Sequence, residues 1–207
     1  ALGIEEYKNM GYLPEALRSY LVNLGWGEGE TKILTDSEMI KAFDVSKISH
    51  SPARFDFEKL NNINHHFISG LSADYITESL LNISSFKAME RIKKAVEKIR
   101  YRFKTLAEMA ESFKVFEDDY STTEEANKLL TENKNTLQEV HEFLKSYKAS
   151  ADLEASFKDF LKLKGISFGK VGPALRAALI GTTSSIGIFE IIYILGEEET
   201  LNRLTKC

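Results

Sequence analysis

The sequence predicts an all-α chain, and three observations carry that reading. Apolar residues recur at three- and four-residue spacing along nearly the whole length. No alternating apolar–polar run is long enough to build a sheet. The 3 prolines and 12 glycines, in a chain that is 43% hydrophobic and 28% charged, argue for a folded helical array over a disordered or collagen-like one.

The elements follow in order. Pro14 occupies a favoured first helical position, Leu13, Leu17, Tyr20, Leu21 and Leu24 form one apolar stripe, and Gly25 marks the end. Thr35 with Glu38 makes a capping box for a helix over 35–43. Residues 46–52 read as irregular, and 55–67 as helix, with Gly70 as a break. Helices follow over 72–82, 85–103 and 105–115. Ser121 with Glu124 reads as a second capping box opening 122–130. Helices over 134–148 and 152–164 precede a loop at 165–172, with Pro173 starting a helix through Ile180. An apolar helix over 188–195 and a charged one over 197–205 complete the chain, and cuts are expected near 70 and 120.

Composition narrows the function classes. The single cysteine, Cys207, allows no intrachain disulfide, so a reducing, cytoplasmic setting is expected. No basic region followed by an apolar run opens the sequence, so no signal peptide is expected. The most apolar window, 177–196, is interrupted by Thr182, Thr183, Ser184 and Ser185 and carries Glu190, which fits two buried helices better than a membrane span.

Charge is concentrated in one place. Residues 87–104 hold eight cations (Lys87, Arg91, Lys93, Lys94, Lys98, Arg100, Arg102 and Lys104) and two acids (Glu90 and Glu97), a local charge of +6 in a chain whose net charge is −4. On a helical wheel Arg91, Lys94, Lys98 and Arg102 share one ridge, opposite Met89, Ile92, Val96, Ile99 and Phe103. Such a face suits a polyanion such as nucleic acid, and equally a solvated surface, an anionic membrane or a partner helix.

Catalytic motifs fail on inspection. His141-Glu142 lacks a histidine four residues on, where Lys145 stands, and the adjacent His65 and His66 point apart on a helix, so no metal site is expected. Gly165, Gly169 and Gly172 follow no strand and precede no Gly-Lys-Ser/Thr, so they make no phosphate loop. No nucleophile constellation stands out, and the residues alone read as a binding module.

Three segments carry a family resemblance. Gly11-Tyr12-Leu13-Pro14-Glu15-Ala16-Leu17-Arg18-Ser19-Tyr20-Leu21 ends in Leu24-Gly25-Trp26. Ser51-Pro52-Ala53-Arg54-Phe55-Asp56-Phe57-Glu58-Lys59-Leu60 is followed by Asn64. Gly172-Pro173-Ala174-Leu175-Arg176-Ala177-Ala178-Leu179 continues to Thr183-Ser184-Ser185 and Gly187. In this order the chain resembles the C-terminal half of bacterial glutamyl-tRNA synthetases. The departures are Ile186, where proline is usual, and His65 and Phe67, where glycine and tyrosine are usual.

The resemblance implies a stem-contact helical region over 1–71 and a two-part helical cage, the anticodon-binding helical bundle, over 72–120 and 121–207. It implies that Arg102 reads the third anticodon base and that Lys94 lies close to the anticodon loop; on physical grounds Lys98 is then expected on phosphate and Tyr101 against a base, with Arg100 beside them. Arg176 and Ser185 would lie near the first two anticodon bases, while Arg54 and Lys59 read either as tRNA stem contacts or as partners of Asp56, Glu58 or other acids within the fold. Arg176 reads as lying near a helix start, whose N–H groups could also face phosphate.

The whole protein implied is a class I ligase that activates glutamate with ATP and Mg²⁺ and esterifies it to tRNA(Glu), with tRNA(Gln) as a second possible substrate. On this reading Ala1-Leu2-Gly3 follows the Lys-Met-Ser-Lys-Ser-like loop, so the catalytic, ATP and metal sites lie outside this chain. A cytoplasmic monomer without membrane contact, inactive by itself, is expected. The competing readings are a class I lysyl-tRNA synthetase cage, or a helical protein-interaction or membrane-surface module using the basic ridge.

Overall fold

A computed structural model describes residues 2–26, 32–48, 54–147, 152–183 and 186–206. Among these every regular element is helical and no strand occurs, as the periodicity predicts. The chain divides into two compact units, one of residues 1–86 and 96–112 and the other of residues 87–95 and 113–207.

The first unit contains α1 (Ile4–Asn9), α2 (Pro14–Gly25), α3 (Asp36–Ala42), α4 (Phe57–Gly70) and α5 (Ala73–Leu81), with the end of α6 (Met89–Ile99) and most of α7 (Leu106–Phe113). Pro14 stands at the first position of α2, and Thr35 caps α3 in the predicted box. Asp56 caps α4 by accepting from Glu58 N and Lys59 N. α2 packs on α4 and α3, burying Leu13, Ala16, Tyr20, Leu60, Ile63 and Ile68.

One polar knot ties this unit together. Asn64, fully buried on α4, accepts from Leu13 N at 2.8 Å and donates its amide hydrogens to Gly11 O (3.2 Å) and Lys104 O (2.7 Å). Gly11 O also accepts from Leu106 N at 2.9 Å. Gly11 has φ +84°, and a Cβ there would stand 2.2 Å from Ala107 N, so only glycine fits. Two of the sequence motifs, far apart in the chain, thus meet at one amide side chain.

The second unit contains the start of α6, then α8 (Glu124–Glu132), α9 (Lys134–Ser146), α10 (Leu153–Lys164), α11 (Phe168–Ile180) and α12 (Ile188–Thr205). α11 lies at its centre, packed on α12, α8 and α9, with seven apolar residues from Val171 to Ile180 buried. Gly196, with φ 77° and ψ 169°, breaks α12 between the two predicted helices.

This unit has its own knot. Arg203 is completely buried; it donates to Val115 O (2.7 Å), Leu179 O (2.6 Å), Glu117 O (2.6 Å) and the Glu199 carboxylate (2.7 Å), and it lies 4.1 Å from the centre of the Tyr120 ring.

Several boundaries differ from expectation. α1 carries no motif and was not expected; it forms because Glu6 reaches back to Gly3 N and caps it. α4 runs through Gly70, whose surroundings are open, and ends at Leu71. The expected Ser121–Glu124 box does not form. Thr123 caps α8 instead, because its N–H is held by Gly181 O at 2.9 Å while Ser121 O lies against Gly181. The expected loop at 165–172 is helical from Phe168, so Pro173 lies inside α11 and not at its start. The carbonyl that Pro173 leaves without a helix donor belongs to Gly169, which is exposed.

Candidate nucleic-acid interface

The basic segment begins where Glu117 holds it. The Glu117 carboxylate accepts from Lys87 N (3.0 Å) and Ala88 N (3.1 Å), satisfying two donors at the start of α6. Ile92, Val96 and Ile99 are fully buried, three of the five residues of the expected apolar seam, and Ala95 is buried beside them.

The basic ridge is divided by use. Arg91 is occupied: it donates to Phe116 O at 2.7 Å and Asp118 Oδ1 at 2.6 Å, with Glu199 at 3.8 Å. Lys87 pairs with Asp119 and Lys93 with Glu90, both on the surface. Lys94 is half-buried, its Nζ 5.9 Å from the centre of the Tyr193 ring.

In the first unit the wheel projection fails at its end. The α-helix stops at Ile99, and Arg100–Arg102 form a 3-10 turn, so Arg102 leaves the ridge register. The cause is the chain beyond: Phe103 is extended, its carbonyl accepts from His65 Nδ1 at 3.0 Å, and the Lys104 carbonyl is taken by Asn64. His65 therefore has a structural use.

Arg100 also turns inward. Its guanidinium donates to the carbonyls of Ile68 (3.2 Å), Ser69 (3.4 Å), Leu71 (3.5 Å) and Glu97 (3.2 Å), capping the end of α4. Tyr101 is 51% exposed, and the exposed Arg102 lies with its guanidinium carbon 5.8 Å from the Tyr101 ring centre. Lys98 is exposed one turn earlier. The first unit therefore presents an aromatic ring and a planar cation side by side, next to backbone held by Asn64 and His65.

Arg176 is half-buried and donates Nε–H to Ile186 O at 2.9 Å, which fixes the start of α12. It stands nine residues into α11, so the expected place near a helix start is corrected. Ser185 and the segment Ser51-Pro52-Ala53 lie outside the described residues. Arg54 is exposed and Lys59 half-buried at the start of α4.

The rejected chemistry is placed too. His141 contacts Glu142 (3.2 Å) and Thr205 (3.4 Å), Gly165 is the left-handed end of α10, and Gly169 and Gly172 lie within α11. Among the described residues no three His, Cys, Asp or Glu side chains converge, and no helix is long and apolar enough to cross a membrane.

Sequence reasoning found the basic stretch and missed Tyr193, which carries no motif; its signal is a four-residue spacing from Phe189.

Comparison with known proteins agrees with the resemblance. Residues 67–207 match the family described as anticodon binding domain, and residues 1–62 match the tRNA synthetases class I (E and Q), catalytic domain. A glutamate–tRNA ligase of Bradyrhizobium diazoefficiens is 36% identical over 223 residues, covering 99% of this chain and 47% of the relative. One from Geobacter sulfurreducens is 34% identical, covering 100% of this chain and 47% of the relative. The crystal structure of a glutamate tRNA ligase from Elizabethkingia meningosepticum, in complex with its amino acid, superposes with a TM-score of 0.78 at 28% identity, over 97% of this chain and 42% of that one. The chain spans about half the length of the curated relatives it matches, and it belongs to the anticodon binding domain family as a homologue of glutamate–tRNA ligases.

Proposed function

We propose that this chain is the tRNA-reading half of a glutamate–tRNA ligase and that Arg102 reads the third anticodon base of tRNA(Glu). The observation that carries the reading is the exposed Tyr101–Arg102 pair, set by Asn64 and His65 at the end of the one strongly basic segment. RNA sequence is read mainly in unpaired loops, where a planar guanidinium can meet a base edge and an aromatic ring can stack. Lys98 and Lys94 serve the phosphate backbone. Arg176 and Ser185 attend the first two anticodon bases, and Arg54 and Lys59 the stem. Arg100 acts through position, by fixing the turn that displays Tyr101 and Arg102.

The division proposed is 1–71 for the stem and 72–120 with 121–207 for the anticodon, in a cytoplasmic monomer. The whole protein attaches glutamate to tRNA(Glu), and tRNA(Gln) is a second candidate substrate. ATP supplies the activation in that reaction. Gly165, Gly169 and Gly172 are helix and cap positions that form no phosphate cradle, so no ATP or Mg²⁺ step is assigned to them.

The test is Arg102→Gln, measured by filter binding to tRNA(Glu) carrying cytosine or guanine at the third anticodon position. One base contact is worth about 1–3 kcal/mol, so the wild-type preference for cytosine should fall by roughly 5- to 150-fold. Salt sensitivity should barely change. An unchanged preference would remove Arg102 from the base-reading role.

A further inference from the structure

We propose that Tyr193, with Lys94 beside it, forms a second nucleotide-stacking site in the 87–95 and 113–207 unit. It takes one unpaired base other than the one assigned to Arg102, and it rests on the tRNA-binding reading above. Phe189 and Tyr193 are four residues apart on α12 and so share a helix face. Phe189 is anchored by Phe168 (ring centres 6.3 Å apart, planes 25° apart) and by the edge of Phe157 (5.9 Å, 78°). The row is exposed at both ends, Phe168 by 38% and Tyr193 by 43%.

Single exposed aromatics are ordinary on protein surfaces. Two features set this one apart. The Lys94 ammonium lies 5.9 Å from the Tyr193 ring centre, inside the range for attraction to an aromatic face. The same ammonium is 4.0 Å from where a Cβ on Gly196 would stand, and Gly196 is the break that ends the helical turn carrying Tyr193. Further, the start of α12 is fixed by the Arg176 bond to Ile186 O, so the row is displayed on rigid backbone.

An aromatic ring with an ammonium 5.9 Å from its centre fits a nucleotide, the base against the ring and the phosphate against the ammonium. A wholly apolar protein partner would gain nothing from the ammonium beside the ring. This charge and ring pattern therefore favours unpaired RNA.

The experiment uses the 207-residue chain and a short RNA stem-loop with the anticodon-arm sequence of tRNA(Glu), carrying 2-aminopurine at each loop position in turn. Wild type should quench, through stacking on Tyr193, one loop position other than the third anticodon base. Tyr193→Ala should lose that quench and bind about 10-fold more weakly, in keeping with one base–aromatic stack. Tyr193→Phe should keep both, and Tyr193→Leu, which keeps apolar bulk, should still lose the quench; circular dichroism checks that each variant is folded. If wild type binds but Tyr193→Ala and Tyr193→Leu leave quench and affinity unchanged, this site is overturned while the anticodon reading stands. If wild type binds no stem-loop, both fall. If Tyr193→Phe fails as badly as Tyr193→Ala, the hydroxyl and not the ring is responsible, and the stacking role is overturned. Loss of binding to anionic vesicles with RNA binding intact would overturn it in favour of a membrane surface.

Discussion

The two units solve the same problem with different chemistry. In each, a buried side chain on one helix gathers backbone groups from distant segments. In the first unit it is Asn64, a neutral amide serving one N–H and two carbonyls. In the second it is Arg203, a cation serving three carbonyls and one carboxylate and lying against Tyr120. An amide can both donate and accept, so it suits a site mixing the two. A guanidinium only donates, so it suits a cluster of carbonyls, but its charge needs the Glu199 carboxylate within reach. The amide knot is the safer one to damage, and the charged knot the stronger while whole.

That contrast can be broken most sharply at Arg203. Arg203→Met strands three carbonyls and leaves the Glu199 carboxylate only Arg91, 3.8 Å away, and should cost about 3–5 kcal/mol of stability. Arg203→Lys should recover only part, because an ammonium lacks the planar fork. Chemical denaturation followed by far-ultraviolet circular dichroism checks the total, while fluorescence of Trp26, the single tryptophan, reports the first unit. If Arg203→Met moved the Trp26 transition as far as the helix signal, the two knots would not be separable.

A smaller loss is expected from Asn64→Leu, which keeps bulk but leaves Leu13 N–H and Lys104 O unserved, at about 2–3 kcal/mol. Here the Trp26 transition should move first. A cost as large as that of Arg203→Met would mean that charge is not what separates the two knots.

The smallest effect belongs to Asp118, whose bond from Arg91 holds its carboxyl below the usual range. A depressed carboxyl pKa contributes stability that is complete above the unfolded value, near 4, and is lost as pH falls through the folded value. Asp118 is 71% exposed, so the loss in Asp118→Asn should stay below about 1 kcal/mol at neutral pH and vanish in acid. Stability curves of wild type and variant against pH check the sign: they should converge on acidification.

Much of this was legible in the sequence, and the failures have local causes. Thr35 with Glu38 stood alone as a cap and was read correctly. Ser121, Thr122 and Thr123 offered three similar caps in a row, and the choice was made by Gly181, sixty residues away. Pro173 resembled a first-turn proline, but Ser167 starts the helix earlier and the exposed Gly169 tolerates the missing bond. The basic helix, expected over 85–103 and observed over Met89–Ile99, was read one turn too long at each end, because Glu117, which holds its start, lies farther along the chain and the partners that end it, Asn64 and His65, lie on another helix. Arg203 was illegible, since nothing local distinguishes a buried arginine from a solvated one on a charged helix. At the interface, position along the chain was readable and direction was not: Arg100 and Arg102 are two residues apart, yet one caps α4 and the other faces outward.

The inward turn of Arg91 and Arg100 has a practical consequence for mutational scanning. Neutralising each cation of the basic stretch in turn would register both as strong RNA contacts, because losing either releases the carbonyls that hold the stretch in place. An arginine-to-lysine exchange at either would restore only part of the binding, because an ammonium lacks the planar fork that spans these carbonyls, whereas a true phosphate contact tolerates lysine. The exchange of arginine for lysine, and not the removal of charge, is therefore the scan that separates side chains touching RNA from those that shape the surface it meets.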